Sequence, residues 1–192
     1  GFHLSKKLLN NGHKVYGFDS MNNYYDIKLK QERLKILKSY KNFFFTRGNI
    51  EKYNILNKSL LKFKPSIIIH LAAQAGVRYS IDNPDVYLNS NILGTFNLIK
   101  IANKLRVKHL IIGSSSSVYG ANKKIPFKEI DKTDHQVSVY AATKKSAESL
   151  AHSYSSLWKL PITMLRFFTV YGPWGRPDMA YFKFTKKILD GK

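Results

Sequence analysis

A tyrosine and a lysine four residues apart, Tyr140 and Lys144, are the residues of this sequence best suited to acid–base chemistry. On a helix this spacing places both side chains on one face, one turn apart. A hydroxyl-rich run, Ser114–Gly120, follows an apolar segment that begins at His109. A phenol, an ammonium group and several hydroxyls in one site could move a proton on and off the oxygen of an alcohol or a sugar. Such a pair also occurs by chance on many helices, so the prediction depends on its surroundings.

The elements that must position these residues alternate between helix and strand. Apolar residues at helical spacing predict helices over residues 2–11, 27–39, 54–63, 84–105, 138–158 and 180–190. Short apolar runs predict strands over residues 14–18, 43–46, 66–71, 109–113 and 161–167. This alternation predicts an α/β fold with a doubly wound parallel sheet.

Composition excludes several classes of protein. The 192 residues include 12 Tyr and 12 Phe and are 44% hydrophobic, which is typical of a globular domain. The chain contains no cysteine, so disulfides and thiolate metal sites are excluded. No apolar run approaches the roughly 18–20 residues that span a bilayer, and no signal peptide opens the chain, which predicts a cytoplasmic protein with no membrane partner. The histidines show no ligand spacing, and we predict no metal.

The formal charge of +20 raises the question of nucleic-acid binding. Only six of the 32 basic residues are arginine, and the lysines are scattered as single residues or pairs. The sequence contains no arginine-rich arm, zinc finger or aromatic RNA-binding signature. We therefore predict no nucleic-acid partner. Nucleic-acid binding stays an alternative that a steep salt dependence of duplex binding would support.

Two residues near the start of the chain fit a dinucleotide-binding unit, in which a strand, a glycine-rich turn and a helix follow one another. Gly1 stands where the last glycine of such a turn would be, directly before the first predicted helix. Asp19 follows the next strand 18 residues later, close to the roughly 20 expected for the carboxylate that binds the adenosine ribose. No arginine comes directly after Asp19, which favours NAD over NADP. An aspartate that only caps the next segment is the alternative.

Five segments, in this order and at this spacing, resemble the extended short-chain dehydrogenases/reductases, and among them the NAD-dependent nucleotide-sugar epimerases. They are Gly1–Ser5, His70–Ser80, Ser114–Gly120, Tyr140–Lys144 and Leu165–Asp178. The Tyr-x-x-x-Lys pair is typical of the whole superfamily, whereas the Gly-Val-Arg and Gly-Pro-Trp-Gly-Arg runs are most similar to the UDP-glucuronate 4-epimerases. The resemblance implies a Rossmann-like doubly wound sheet that lacks its first strand here, followed by the start of a smaller substrate domain.

The resemblance also implies domain boundaries. Residues 1–168 would form an N-terminally truncated NAD-binding domain, and residues 169–192 would begin a C-terminally truncated substrate-binding part. A missing central strand would leave unpaired backbone edges on its neighbours. We therefore expect residues 1–192 alone to be inactive and poorly stable. The full-length protein is expected to form a homodimer through the helices over 84–105 and 138–158.

The activity that the resemblance implies is NAD-dependent epimerisation of a UDP-sugar at C4, with UDP-glucuronate and UDP-galacturonate as the pair. Tyr140 would take the proton from the 4-hydroxyl while hydride passes to NAD, and a 4-keto intermediate would turn over before hydride returns. Lys144 and the nicotinamide carry charges that would favour the phenolate, since a free tyrosine has a pKa near 10. Ser115 and Ser117 would hydrogen-bond the substrate oxygen and Tyr140.

Other residues take their roles from the same resemblance. Cofactor contacts fall on Gly1, Asp19, Asn49, Ile50, Leu71, Ala72, Ala73, Asn91, Tyr140, Lys144 and Phe167. Substrate contacts fall on Arg78, Ser115, Ser116, Ser117, Thr169 and Arg176. The two arginines are candidates for the uronate carboxylate or the diphosphate, because a guanidinium fork fits either anion. Many family members carry aspartate at the position of Asn49, and the asparagine keeps a carbonyl but loses the charge.

Related activities differ at one position of the hydroxyl run. Nucleotide-sugar dehydratases and decarboxylases of the family carry an acid just before Val-Tyr-Gly, where this chain has Ser116 and Ser117. Without that acid, elimination lacks its acid–base partner, which favours an epimerase that acts at C4 alone. Two alternatives remain: a 4-epimerase of UDP-N-acetylhexosamines or their uronates, and a non-catalytic NAD-binding relative.

Overall fold

The computed structural model describes residues 1–191, and within them helices and strands alternate as predicted. In chain order the elements are α1 (Phe2–Asn10), β1 (Val15–Asp19), α2 (Ile27–Lys38), β2 (Phe43–Arg47), α3 (Tyr53–Phe63), β3 (Ile67–His70), α4 (Tyr79–Asp82), α5 (Pro84–Tyr87), α6 (Gly94–Leu105), β4 (His109–Ser115), α7 (Val139–Trp158), β5 (Ile162–Phe167) and α8 (Ala180–Leu189). A π-helical segment, Leu88–Leu93, joins α5 to α6, and a 3-10 turn, Ser116–Tyr119, follows β4. All strand pairs are parallel, so the predicted α/β class is confirmed.

The chain divides into two compact units, of which the first comprises Gly1–Arg47 and the described part of Thr169–Lys192. Its sheet has two strands, β1 and β2. α1 ends at Asn10, one residue before the predicted end, and Gly12 then adopts a φ of +81°, a left-handed conformation that glycine adopts readily. α2 begins where the Asp26 side chain accepts a hydrogen bond of 2.9 Å from the Lys28 N–H.

The second unit, Gly48–Phe168, contains a parallel sheet in the order β3-β4-β5. Leu110 and Ile112 of the central strand β4 are buried, as expected for a strand with apolar cover. α7 packs on β4 and β5, and α6 packs against α7, with Ile99 and Ala147 in the core. Parallel strands end at one edge of a sheet, so the carboxyl ends of β3, β4 and β5 lie side by side.

The predicted helix over 84–105 is helical throughout but changes type in the middle. Leu88–Leu93 forms a π-helix, a rare form that is found mostly at functional sites. Asn91 lies in this segment, is 1% exposed, and makes its side-chain hydrogen bonds outside its own helix. The apolar periodicity of the sequence carries no signal for this change of helix type.

β4 also departs from its predicted bounds. It runs to Ser115 instead of ending at Gly113, because Ser114 pairs with Arg166 and Ser115 with Phe167 of β5. The hydroxyl run therefore begins inside the strand. α4 and the 3-10 turn are short elements that the sequence did not predict. Within residues 1–191 no helix is long and apolar enough to cross a membrane.

Candidate active site

The carboxyl ends of β3, β4 and β5 bring two predicted cofactor residues to either side of Gly113. A Cβ added at Gly113 would lie 3.2 Å from Leu71 Cδ2 and 3.4 Å from Phe167 Cε2. Leu71 and Phe167 are 37% and 41% exposed, so both present apolar surface beside this strand end. Gly113 itself is buried, and a side chain at this position would press on both of these residues.

α7 positions the predicted acid–base pair. Ser138 caps the helix, its Oγ accepting a hydrogen bond of 3.1 Å from the Ala141 N–H, so Tyr140 and Lys144 fall in the first two turns. Lys144 Nζ donates a hydrogen bond of 2.8 Å to the Gly113 carbonyl oxygen. The lysine thus reaches the carboxyl end of β4, the strand that carries the serines.

Tyr140 is half-buried and is held by two neighbours. Its backbone N–H donates to Ser80 Oγ at 3.3 Å, and its ring meets the ring of Tyr87 edge-on, with 6.0 Å between centroids. Tyr87 is itself fixed, because its hydroxyl donates to the carbonyl oxygens of Ala75 and Gly76 at 3.0 and 2.5 Å. The loop after β3 therefore supports the phenol.

Burial controls the electrostatics of the site. It lowers the pKa of Lys144 from 10.5 to about 8. The neighbouring His70 is also buried, and burial, together with the Lys144 charge, lowers its pKa from 6.5 to about 3. His70 Nε2 lies 2.9 Å from Thr95 Oγ1, so the neutral ring has a hydrogen-bond partner. His70 is a satisfied core histidine.

The serines occupy different positions around the strand end. Ser115 is buried, and its Oγ accepts a hydrogen bond of 3.1 Å from the Ser117 N–H, which opens the 3-10 turn. Ser116 and Ser117 lie in that turn and are half-buried. Their predicted contacts with a substrate stay predictions.

Asn91 uses its amide within the protein. Its Oδ1 accepts from the Gln74 N–H at 2.8 Å, and its Nδ2 donates to Gln74 O at 3.0 Å and to Thr143 Oγ1 at 3.1 Å. These bonds join the π-helical segment, the loop after β3 and α7 directly before Lys144. The geometry favours a positioning role, and a direct contact with a cofactor stays a prediction.

The remaining predicted cofactor residues of the second unit follow β2 and β3 along the chain. Ala72 and Ala73 are half-buried in the loop that follows it, and Asn49 is exposed. Ile50 is buried against Gly94, where an added Cβ would overlap its side chain. The Ile50 side chain is therefore part of the core. The substrate candidate Arg78 is exposed, directly before α4.

Four further predicted residues belong to the first unit. Gly1 precedes α1, and Asp19 ends β1 with its Oδ1 accepting a hydrogen bond of 2.7 Å from the Met21 N–H. Thr169 is exposed. Arg176 forms an ion pair with Asp178, with 3.3 Å between Nε and Oδ1.

The loop that carries Arg176 is anchored within the first unit. Arg33 donates from Nη2 to the carbonyl oxygens of Trp174 and Gly175, and His3 Nε2 lies 2.8 Å from the Pro173 carbonyl oxygen. The Trp174 ring also packs on Phe2, with 5.5 Å between centroids. The loop therefore has a defined backbone position relative to α1 and α2.

Three polar residues near the site were missed by the sequence analysis: Ser114, Glu148 and Arg166. The Glu148 carboxylate accepts hydrogen bonds from the other two. Glu148 follows Lys144 by four residues, the same spacing that separates Lys144 from Tyr140. This repeated spacing was the feature of the sequence that could have indicated Glu148.

Comparison with known proteins identifies the family of the chain. The family model for the NAD dependent epimerase/dehydratase family matches residues 1–192. Protein CapI of Staphylococcus aureus is 54% identical over 190 residues, which cover 99% of this chain and 57% of that protein. A probable UDP-glucuronate 4-epimerase of Rhizobium meliloti is 50% identical over 192 residues, covering 100% of this chain and 56% of the relative. The chain thus spans little more than half the length of these relatives.

A solved structure with the same fold is UDP-glucuronic acid 4-epimerase from Bacillus cereus in complex with UDP-glucuronic acid and NAD. The TM-score is 0.92 at 35% identity, and the match covers 100% of this chain and 60% of that one. This likeness confirms the predicted Rossmann-like fold.

Proposed function

The chain belongs to the NAD-dependent epimerase/dehydratase family, and from this membership we propose that the protein epimerises a UDP-sugar at C4 with bound NAD. The substrate pair that we propose is UDP-glucuronate and UDP-galacturonate, because relatives that share about half of the residues are named for that reaction. Since the chain spans only part of these relatives, the activity is proposed for the full-length protein.

One observation carries the proposal: the buried Lys144 ammonium lies at the carboxyl end of β4, bonded to Gly113, one helical turn after Tyr140. The phenol of Tyr140 would take the proton from the sugar 4-hydroxyl, with the Lys144 ammonium on the next turn of the same helix.

The residues present fit NAD. Leu71 and Phe167 present exposed apolar surface beside Gly113, which suits packing against a planar ring, and the Asp19 carboxylate ends β1 as a ribose-binding acid does. Lys144 would hold the nicotinamide ribose. Further contacts are proposed for Gly1, Asn49, Ile50, Ala72, Ala73, Asn91 and Tyr140. When bound, NAD would supply the hydride acceptor and donor for C4 of the sugar.

The other side chains bind and orient the sugar. Ser115 and Ser117 would donate hydrogen bonds to the 4-oxygen, with Ser116 and Thr169 on the substrate side. Arg176 and Arg78 would bind the carboxylate or the diphosphate. The absence of a carboxylate at positions 116 and 117 leaves no acid for elimination there, which supports reaction at C4 alone.

The proposal is tested by incubating the full-length protein with UDP-glucuronate and NAD and separating the sugar nucleotides. Formation of UDP-galacturonate supports it. Turnover of UDP-N-acetylglucosamine instead would favour the alternative epimerase, a class that also has this fold: a UDP-N-acetylglucosamine 4-epimerase from Methanobrevibacter ruminantium matches with a TM-score of 0.85 at 28% identity. Tight NAD binding without turnover of any UDP-sugar would indicate a non-catalytic relative.

Assembly, location and domain limits are further parts of the proposal. Apolar side chains are exposed on the helices of the second unit, among them Leu88 at 46%, Leu157 at 69% and Trp158 at 53%. We propose that these helices form a homodimer, which the mass in solution would test. We also propose a cytoplasmic protein with no nucleic-acid partner, an NAD-binding domain over 1–168 and a substrate-binding part that begins at 169.

A further inference from the structure

A carboxylate joins three elements directly behind the candidate active site. Glu148 Oε1 accepts a hydrogen bond of 2.7 Å from Ser114 Oγ. Arg166 donates from Nε to the same oxygen at 3.0 Å and from Nη2 to Oε2 at 2.9 Å. Because Ser114 lies on β4, Glu148 on α7 and Arg166 on β5, this carboxylate links a helix to two neighbouring strands.

Each of these three residues is one strand position or one helical turn away from a predicted site residue. Ser114 and Arg166 are opposite each other in the β4–β5 ladder, and the next pair in the register is Ser115 and Phe167, both predicted site residues. Glu148 follows Lys144 by one helical turn, as Lys144 follows Tyr140. A shift of α7 along β4 would therefore move Tyr140 and Lys144 together, away from their positions at the strand end.

Charge and hydrogen bonding hold the three residues together. Glu148 and Arg166 line a cavity of about 940 Å³, with 10% and 20% of their side chains exposed. Burial alone would raise the pKa of Glu148, but hydrogen bonds from Arg166 and Ser114 lower it below its ordinary value. Arg166 also donates from Nη1 to the Glu129 carbonyl oxygen at 3.1 Å. The contact is thus a bidentate, charge-assisted one.

We propose that Glu148 is a positioning residue that, through Ser114 and Arg166, fixes α7 on β4 so that Tyr140 and Lys144 stay at the strand end. This inference rests on the proposed function. The other side-chain link between α7 and β4 described above, from Lys144 to Gly113, is made by a residue that also has to bind ligand. Glu148 provides an anchor that takes no part in the chemistry.

The test uses the full-length protein. It compares the single variants Ser114→Ala and Glu148→Gln, and the variant that carries both substitutions, with the control variant Ser146→Ala. Ser146 is the matched control, because its hydroxyl donates to Ala142 O within α7 in an exposed hydrogen bond. Small displacements of catalytic groups cost up to about 100-fold in rate, so we expect Ser114→Ala to lower kcat about 10-fold. KM and NAD affinity should stay within about twofold, and the double variant should be no slower than the worse single one.

Rescue separates positioning from fold stability. Ser114→Thr keeps the hydroxyl and should restore kcat to within about twofold of the unmodified protein. Unchanged kcat in Ser114→Ala and Glu148→Gln, with lower melting temperatures only, would show a merely structural link and overturn the proposal. Fully additive losses in the double variant would also overturn it.

A second measurement does not depend on the substrate. Amide hydrogen exchange over residues 139–147 should be about 10-fold faster in Ser114→Ala than in Ser146→Ala, because α7 loses the hydrogen bond that Glu148 accepts from Ser114 of β4. If the unmodified protein converts no UDP-sugar, the proposed function fails while this comparison still decides on the anchor. Equal exchange rates in Ser114→Ala and Ser146→Ala would overturn the positioning role proposed for Glu148.

Discussion

Lys144 donates a hydrogen bond to the carbonyl oxygen of Gly113 across 2.8 Å, which brings a buried cation to the carboxyl end of the central strand β4. Gly113 is also the point where Leu71 of the β3 end and Phe167 of β5 come closest to the strand. A single glycine therefore joins the acid–base helix to the proposed nicotinamide site. The burial that makes this contact effective also costs stability.

Lys144→Met should make the folded chain more stable and inactive. The pKa of Lys144 is about 8 in the fold and 10.5 ordinarily, so the lysine's contribution to stability is present above pH 10.5 and is lost as pH falls through 8. Near pH 7 the variant should gain up to about 3 kcal/mol in free energy of unfolding, and the gain should shrink as pH rises. Urea unfolding at several pH values measures this.

Lys145→Met is the control for that experiment. Lys145 is the next residue of α7, and its Nζ donates to Thr133 Oγ1 instead of reaching β4. A gain of the same size and pH dependence in this variant would contradict the assignment to Lys144.

Tyr140→Phe should abolish epimerisation while NAD stays bound. The ring contact with Tyr87 does not need the hydroxyl, so the fold should be unchanged. Loss of an acid–base group costs about 10²–10⁴ in rate. The assays are turnover of UDP-glucuronate and calorimetric titration with NAD. Tyr154→Phe, on the same helix, should keep full activity, and residual epimerisation by Tyr140→Phe near the normal rate would remove the phenol from the mechanism.

His70 should make the fold acid-sensitive. Its pKa is about 3 in the fold and 6.5 ordinarily, so the unfolded chain takes up the proton first as pH falls. The contribution of the neutral ring to stability is present above pH 6.5 and is lost as pH falls through 3. Lowering the pH from about 7 to about 4 should therefore reduce the free energy of unfolding by about 3 kcal/mol through His70 alone. His70→Gln should lose less over this range.

His109→Gln is the matched control for His70. His109 Nε2 lies 2.8 Å from Thr163 Oγ1, a similar hydrogen bond in an exposed setting. If His70→Gln and His109→Gln reduce the loss of unfolding free energy at acid pH by the same amount, burial of His70 is not the cause of that loss.

Gly120→Ala should destabilise the turn that follows the serines. Gly120 has a φ of +55°, and an added Cβ would lie 2.0 Å from the His135 carbonyl oxygen. Strain and overlap together should cost at least about 3 kcal/mol. Gly12→Ala, at a φ of +81° with nothing within 4 Å, should cost only about 1 kcal/mol. Equal denaturant midpoints for Gly120→Ala and Gly12→Ala would show that overlap with the His135 carbonyl oxygen does not destabilise the protein.

Local sequence patterns predicted the elements that carry the candidate site. Apolar runs placed the end of β3 and the start of α7 within one residue, and the i, i+4 spacing put Tyr140 and Lys144 on one helix face. These features depend on side chains that are close in sequence, so periodicity detects them. The fold class predicted parallel strands, whereas the register that places Leu71 and Phe167 beside Gly113 is seen only in the structure.

Contacts between distant segments were not predicted. Ser114 is one of four consecutive serines, and only the β4–β5 register shows that it faces Arg166 and Glu148 while Ser115 does not. The π-helical turn at Asn91 likewise depends on bonds to Gln74 and to Thr143, 17 and 52 residues away. Burial of Ile50 against Gly94 has the same origin. Such pairings need the folded chain, because nothing in the local sequence distinguishes them.

Arg176 is predicted to select for a uronate sugar. Its Nε faces Asp178 at 3.3 Å, and Nη2 lies 3.2 Å from Met179 Sδ, so these neighbours hold the guanidinium. A charge-assisted hydrogen bond to a substrate carboxylate contributes about 1.5–3 kcal/mol, or roughly 10–100-fold in affinity. Arg176→Gln should therefore raise KM for UDP-glucuronate by about that factor and leave KM for UDP-glucose nearly unchanged.

Arg78→Gln provides the comparison that assigns the two arginines. An arginine that binds the diphosphate raises KM for UDP-glucuronate and UDP-glucose alike when it is removed, because both substrates carry that group. An arginine that binds the carboxylate affects UDP-glucuronate alone. Equal increases for both sugars in Arg176→Gln would move this residue to the diphosphate. A selective effect in Arg78→Gln would assign the carboxylate to the exposed loop before α4.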